Sequence, residues 1–340
     1  MLDFANIVGH EQIILHIKNA IAMGKVSHAY IFAGEDGAGK NLLADAFAMV
    51  IQCEEAGHAS ELPVEQLNAC GKCKSCVQAA SNNHPDIIRI THEKVSIGVD
   101  DIRTQINNDI QIKPYSSPYK IYIIDDAEKL TEQAQNALLK TIEEPPEYAI
   151  ILLLTNNLDV LLPTIVSRCV TLKLQAVDKN AIKDFLMEKY QVPDYLADIS
   201  TVFAQGNMGK AIEYSLSGDF EEMKKNVLHL LKYIEEMELY EILDALKKLS
   251  EQKDRIYVYL DFIILWYRDV LMLKVTKDPN LLVYKSEYMD VSKQANTKTF
   301  EGIESIIAAI EKAKVRLKAN VNFDIAIELM LLTIKENGND

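Results

Sequence analysis

One tryptophan, five cysteines and nine prolines are all that 340 residues contain of those types. No run of about 18 apolar residues, the length a membrane helix needs, occurs anywhere. The opening MLDFANIVGHEQ lacks the basic start and apolar stretch of a secretory signal, so a cytoplasmic location and no membrane partner are expected. Positive charge is also in deficit. Lys and Arg total 36 against 50 Asp and Glu, a net −14, so the surface as a whole repels phosphate and excludes a general nucleic-acid coat. Any DNA contact must be local or belong to a partner. Five cysteines, an odd number, do not suggest an exported disulfide framework. What is present is ordinary for a globular chain: 49% hydrophobic, 25% charged and 13 glycines. At roughly 150 residues per domain, the length allows two or three domains.

Up to residue 174, short apolar runs alternate with amphipathic stretches, the pattern of a parallel sheet covered by helices. Strands are expected at His28 to Ala33, Asp86 to Ile90, Tyr119 to Ile124, Ala149 to Thr155 and Val170 to Leu174. Helical spacing occupies Glu11 to Gly24, Lys40 to Cys53, Val99 to Ile112 and Thr131 to Glu144, the last stopped by Pro145 and Pro146. Beyond Leu174 the β-branched runs disappear. Lys179 to Lys189, Pro193 to Gln205 and Gly209 to Ser217 read as three short helices, and Phe220 to Lys335 as longer ones. The fold class is therefore α/β followed by all-α, with boundaries at 1–174, 175–217 and 218–340.

Gly34-Glu35-Asp36-Gly37-Ala38-Gly39-Lys40 lies between an expected strand and an expected helix, the setting of a P-loop. Gly34, Gly37 and Gly39 permit close backbone approach, the helix N-terminus attracts phosphate, and Lys40 would reach the terminal phosphates of ATP or ADP. A glycine-rich turn that binds nothing is the competing explanation. Asn41 stands where a Ser or Thr would ligate magnesium, which puts Mg2+ in doubt. Lys120 to Asp126 is an apolar strand ending in Asp125 and Asp126, an arrangement that aims an acid at nucleotide-bound magnesium; a helix-capping Asp is the plainer alternative.

Cys70, Cys73 and Cys76 form a tight knuckle and Cys53 lies upstream, giving four soft ligands within an inserted module at about 53–80. A closed four-cysteine set suits tetrahedral structural Zn2+. The ferredoxin pattern would continue with a further cysteine and proline that are missing here. His84, His92 and His58 flank the set, but four thiolates already fill the shell. Tyr257, Tyr259, Phe262, Trp266 and Tyr267 at helical spacing read as core, and Lys312, Lys314, Arg316 and Lys318 as a solvated face.

Ile7-Val8-Gly9-His10-Glu11, the P-loop, Asp125 to Glu128, Asn136 to Lys140, Glu143 to Pro146 and Ser167-Arg168-Cys169 occur in that order. Together they resemble the bacterial clamp-loader AAA+ subunits of DNA polymerase III, and Trp266 to Asp269 and Ala319 to Asn322 resemble that family's helical collar. The resemblance implies an AAA+ P-loop domain, a small helical lid and a collar that mediates oligomerisation. It also implies a zinc module in the first domain. Arg168 would act as a finger on a neighbouring subunit's ATP. The implied partners are gamma/tau and delta subunits in a hetero-pentamer, with the sliding clamp and primer-template DNA reached through the complex. The holoenzyme is a nucleotidyltransferase; this chain would carry no polymerase chemistry. Thr155-Asn156 matches the first sensor, so Asn156 joins the candidate nucleotide site. Asp126 stands in for the glutamate expected to polarise water, and Gly209 for a sensor arginine. With Asn41 these departures argue against efficient ATP hydrolysis. The alternatives are a motor subunit of the same complex and an AAA+ scaffold outside replication.

Overall fold

The computed structural model describes residues 3–56, 64–92 and 95–337. Five strands form one parallel sheet in the order β2-β3-β4-β1-β5. They are β1 (Ala29–Ala33), β2 (Ile87–Arg89), β3 (Lys120–Ile124), β4 (Ala149–Thr155) and β5 (Val170–Lys173). Every residue of β1, β3 and β4 is buried, as parallel strands covered on both faces must be. The period of two divides them between two cores. Tyr30, Phe32, Ile121, Ile123, Ile150 and Leu152 pack on one face, and Ile31, Tyr122, Ile124, Ile151 and Leu153 on the other.

Helices α1 (Glu11–Ala22), α2 (Lys40–Ile51), α3 (Lys74–Ala80), α4 (Val99–Ile102), α5 (Glu132–Glu143) and α6 (Pro163–Val166) alternate with these strands. Helix α4 runs on into a π-helical turn at Arg103–Asn107. Thr131 opens α5 by accepting a hydrogen bond from the Ala134 amide at 3.2 Å, and the helix stops before Pro145, which cannot continue it. In the register, Ala33 lies beside Thr155 and Ile124 beside Leu153. Gly34, Asp125 and Asn156 therefore leave the carboxyl ends of three adjacent strands, the edge where open α/β sheets bind ligands.

Further on lie α7 (Lys179–Tyr190), α8 (Asp194–Ala204), α9 (Met208–Leu216), α10 (Gly218–Tyr233), α11 (Leu239–Ser250), α12 (Ile256–Thr276), α13 (Tyr288–Thr297), α14 (Phe300–Lys318) and α15 (Phe323–Glu336). The chain divides into two compact units, one of residues 1–191 with 204–212 and the other of 192–203 with 213–340. This division runs through residues 175–217. Most of α8 goes with the C-terminal helices because Ile199 and Phe203 join their core, Phe203 lying 4.3 Å from Phe262, centroid to centroid. In that unit Tyr259, Phe262, Trp266 and Tyr267 are buried as expected, and the Trp266 indole donates to Gln294 Oε1 at 2.9 Å. Tyr257 departs from the expectation. It is 39% exposed, one position off the buried stripe of α12. Asp269 is fully buried and accepts from the Val283 and Tyr284 amides at 2.7 and 2.8 Å. Asn322 caps α15 through the Ile325 amide at 3.1 Å. On α14, Lys312 and Lys318 are exposed, whereas Lys314 is half-buried and pairs with Asp261 at 2.8 Å.

Candidate functional site

The P-loop connects β1 to α2, whose first residue is Lys40 and whose N-cap is Gly39. Gly34 holds the loop to the sheet through its amide, which donates to Thr155 O at 3.0 Å. Lys40 curls back over its own loop: Nζ donates to Gly34 O at 2.7 Å, Glu35 O at 3.0 Å and Asp36 Oδ1 at 3.1 Å. Asn156 reaches the same carboxylate, its amide 3.2 Å from Asp36 Oδ2. Asn41 is exposed on the first turn of α2.

A second segment lies over this loop. The Gly209 amide donates to Gly37 O at 2.9 Å, Asn207 Nδ2 to Asp36 O at 2.8 Å, and Lys210 Nζ pairs with Glu35 at 3.0 Å. Both glycines are required by this approach. A Cβ on Gly209 would sit 2.7 Å from the Gly37 Cα and carbonyl oxygen, and one on Gly37 would sit 2.7 Å from Asn207 Oδ1. The missing arginine at 209 thus has a steric reason: no side chain fits there while this segment straps the P-loop. Lys210 also holds the Glu35 carboxyl below its usual range, and the Lys40 and Asn156 hydrogen bonds do the same for Asp36 against the opposing effect of burial.

The two acids after β3 have separate partners. Asp125 Oδ2 accepts from Arg89 Nη1 at 2.6 Å, and the other guanidinium nitrogen donates to Asp45 of α2. Asp126, in the left-handed region at φ 49°, pairs with Lys129 at 2.7 Å. Glu128 accepts from Thr155 Oγ1 at 2.9 Å. Arg168, between α6 and β5, pairs with Glu143 at 2.9 Å and donates to Thr164 O at 3.1 Å, with 42% of its side chain exposed. Arg89 and Asp45 were not singled out from the sequence. The signal that pointed to Arg89 was a charged residue inside the apolar Ile87 to Ile90 run.

Four cysteine sulfurs converge elsewhere in the same unit, all within 4.8 Å of one another. Cys53 follows α2, Cys73 caps α3 and Cys76 lies within it. The Cys70 amide donates to Cys53 Sγ at 3.4 Å, the Cys73 amide to Cys70 Sγ at 3.3 Å and the Cys76 amide to Cys73 Sγ at 3.4 Å. Cys70 and Cys76 sulfurs lie 3.9 Å apart, close to the roughly 3.8 Å edge of a tetrahedron with 2.3 Å metal–sulfur bonds. The donor set could therefore hold a metal ion. Burial pushes the Cys53 and Cys76 thiols up; at Cys70 burial is outweighed by the Lys72 and Cys73 amides, which bring it down to about 7. His84 is not in this set: it is buried against Ser75 Oγ at 2.9 Å and Ser117 Oγ at 3.2 Å. His92 is half-buried outside the cluster, and His58, with the rest of 57–63, lies outside the described residues. Cys169 packs on one sheet face, where burial pushes its thiol up to about 12. Among the described residues no helix is long and apolar enough to cross a membrane.

A family model described as DNA polymerase III, delta subunit, matches residues 9–178. DNA polymerase III subunit delta' of Bacillus subtilis is 30% identical over 321 residues, covering 94% of this chain and 94% of its own. The tau subunit of the same organism is 28% identical over 363 residues; the match covers 99% of this chain and 63% of the relative. A solved DNA polymerase III gamma subunit-related protein from Thermotoga maritima aligns over 96% of this chain and 99% of its own, at 21% identity and a TM-score of 0.47.

Proposed function

The chain belongs to the DNA polymerase III delta-subunit family, and from that premise we propose that it is the delta-prime member of a clamp loader, presenting Arg168 to the ATP of a neighbouring subunit. Its partners would be gamma/tau and delta subunits in a hetero-pentamer that loads the sliding clamp onto primed DNA. The proposed layout keeps a P-loop domain, a lid and a collar, the last joining the subunits. One observation carries the non-hydrolysing part. Lys40, 11% exposed, and Asp125, facing the 30% exposed Arg89, each hold a counter-charge from within the chain, whereas Arg168, like Asp126, is held in an ion pair at the surface, by Glu143 and local oxygen acceptors. Exchanging such an exposed ion pair for a phosphate costs little, since pairs of this kind contribute about 1 kcal/mol or less.

The P-loop keeps the donors a nucleotide's phosphates need, the α2 N-terminus and Lys40, with Glu35 paired to Lys210 and Asp36 to Lys40, and Asp36 also accepting a hydrogen bond from Asn156. Those groups would hold ATP or ADP without turning it over. Magnesium is different: Asn41 offers no hydroxyl and Asp125 is engaged by Arg89. In the cysteine knuckle, Cys53, Cys70, Cys73 and Cys76 would hold Zn2+, which would brace α3 against the end of α2.

The test is ATP turnover by the complex reconstituted with its partner ATPase. Arg168→Ala is expected to lower turnover about a thousandfold, the scale of a lost arginine finger, with assembly unchanged by size-exclusion chromatography. Unchanged turnover in an intact complex would make Arg168 a structural residue.

A further inference from the structure

A charged residue at the end of a half-buried strand of isoleucines needs a reason, and Arg89 of β2 is such a residue. Strand β2 pairs with β3 so that Arg89 lies beside Ile123, two residues before Asp125. Helix α2, which the P-loop opens, brings Asp45 to the same place. The guanidinium forks between the two acids, with Nη1 on Asp125 Oδ2 at 2.6 Å and Nη2 on Asp45 Oδ1. Only 30% of the Arg89 side chain, 22% of Asp45 and 36% of Asp125 are exposed. Burial opposes the charge on Arg89, yet the two carboxylates hold its proton more firmly than usual.

In a P-loop site the acid after this strand faces the nucleotide's divalent ion. Here one oxygen of that acid is taken, and the other, Oδ1, is buried with no hydrogen-bond partner. A divalent ion at Oδ1 would lie next to a guanidinium that cannot lose its proton, in surroundings that screen like charges poorly. Asn41 supplies no compensating anionic or hydroxyl ligand. The residues present do not fit magnesium.

We propose that Arg89 is the resident cation of the Asp125 carboxylate, occupying by covalent attachment to β2 the electrostatic position of a divalent ion, so that this site excludes magnesium. The proposal deepens the reading of the P-loop as a nucleotide site without turnover and rests on it for the nucleotide half of its consequences. Nucleotide is then bound equally well with and without magnesium, and removal of Arg89 opens a cation site on Asp125 and Asp45.

Two measurements on the full chain separate these halves. Manganese binding without nucleotide, followed by electron paramagnetic resonance, is expected to show no site at micromolar Mn2+ in the wild type or in Arg89→Lys. Arg89→Met is expected to take up one Mn2+, and Arg89→Met with Asp125→Asn to lose it. ATP binding by equilibrium dialysis is expected to change less than twofold between Mg2+ and EDTA in the wild type. A wild-type Mn2+ site abolished by Asp125→Asn would overturn the proposal, as would a folded Arg89→Met with no Mn2+ uptake, or wild-type ATP affinity at least tenfold higher with Mg2+. If the wild type binds no ATP in either condition, the nucleotide reading fails while the Mn2+ comparison still decides the role of Arg89. Should Arg89→Met fail to fold with two acids unpaired, Arg89→Met with Asp45→Asn, judged by circular dichroism, replaces it under the same Mn2+ criterion.

Discussion

Position 209 shows how one atom can decide what a site is able to carry. The backbones of Gly209 and Gly37 approach so closely that a Cβ on either meets its neighbour at 2.7 Å. An arginine there cannot be restored without lifting the segment off the loop. Gly209→Arg is therefore expected to destabilise the sheet-containing unit by about 1–3 kcal/mol, the usual cost of overpacking, and to create no ATP turnover. Denaturant unfolding and steady-state phosphate release measure the two effects. A variant as stable as the wild type would mean that the segment lifts freely and that the strap is not a fixed part of the fold.

Elements, rather than single residues, make the contact between the 206–210 segment and the P-loop, and its charges give it a pH dependence. Glu35 is held below its usual pKa by Lys210, and Asp36 by hydrogen bonds from Lys40 and Asn156 that outweigh burial. Of the two, the Glu35 carboxyl is the one that bridges to the segment, through Lys210, so it stabilises the contact at neutral pH and releases it as pH falls through its folded value, which lies below the ordinary value of about 4. The hydrogen-exchange protection factor of the Gly209 amide, which donates to Gly37 O, is expected to stay level from pH 7 to about 4 and to fall below it. Loss between pH 7 and 5 would contradict this account. The same scale explains what could be read in advance. Uninterrupted apolar runs revealed β1, β3 and β4, and Pro145 marked the end of α5. Helix α3 was missed because its inward positions are Ser75 and Cys76, and α6 because it has four residues. The glycine spacing exposed the P-loop. The Arg89 fork stayed hidden because its acids lie 44 and 36 residues away, a separation that only the sheet order closes.

At the scale of the whole molecule, each unit has its own core. The buried cluster of the C-terminal helices contains Ile199, Phe203 and residues from Phe220 onward, while both sheet-face clusters lie within the first unit. Calorimetry of the full chain is expected to resolve two unfolding transitions, of which a strong chelator lowers only one, because the four-cysteine knuckle belongs to the first unit alone. A single transition shifted as a whole would show that the units unfold together. The division also alternates along the chain: after residue 191 the polypeptide supplies a helix to the second unit, then returns 204–212 to the first. During synthesis from the N-terminus, the first unit therefore cannot be completed from a continuous nascent segment. The piece that closes over its P-loop leaves the ribosome only after α8 has been made.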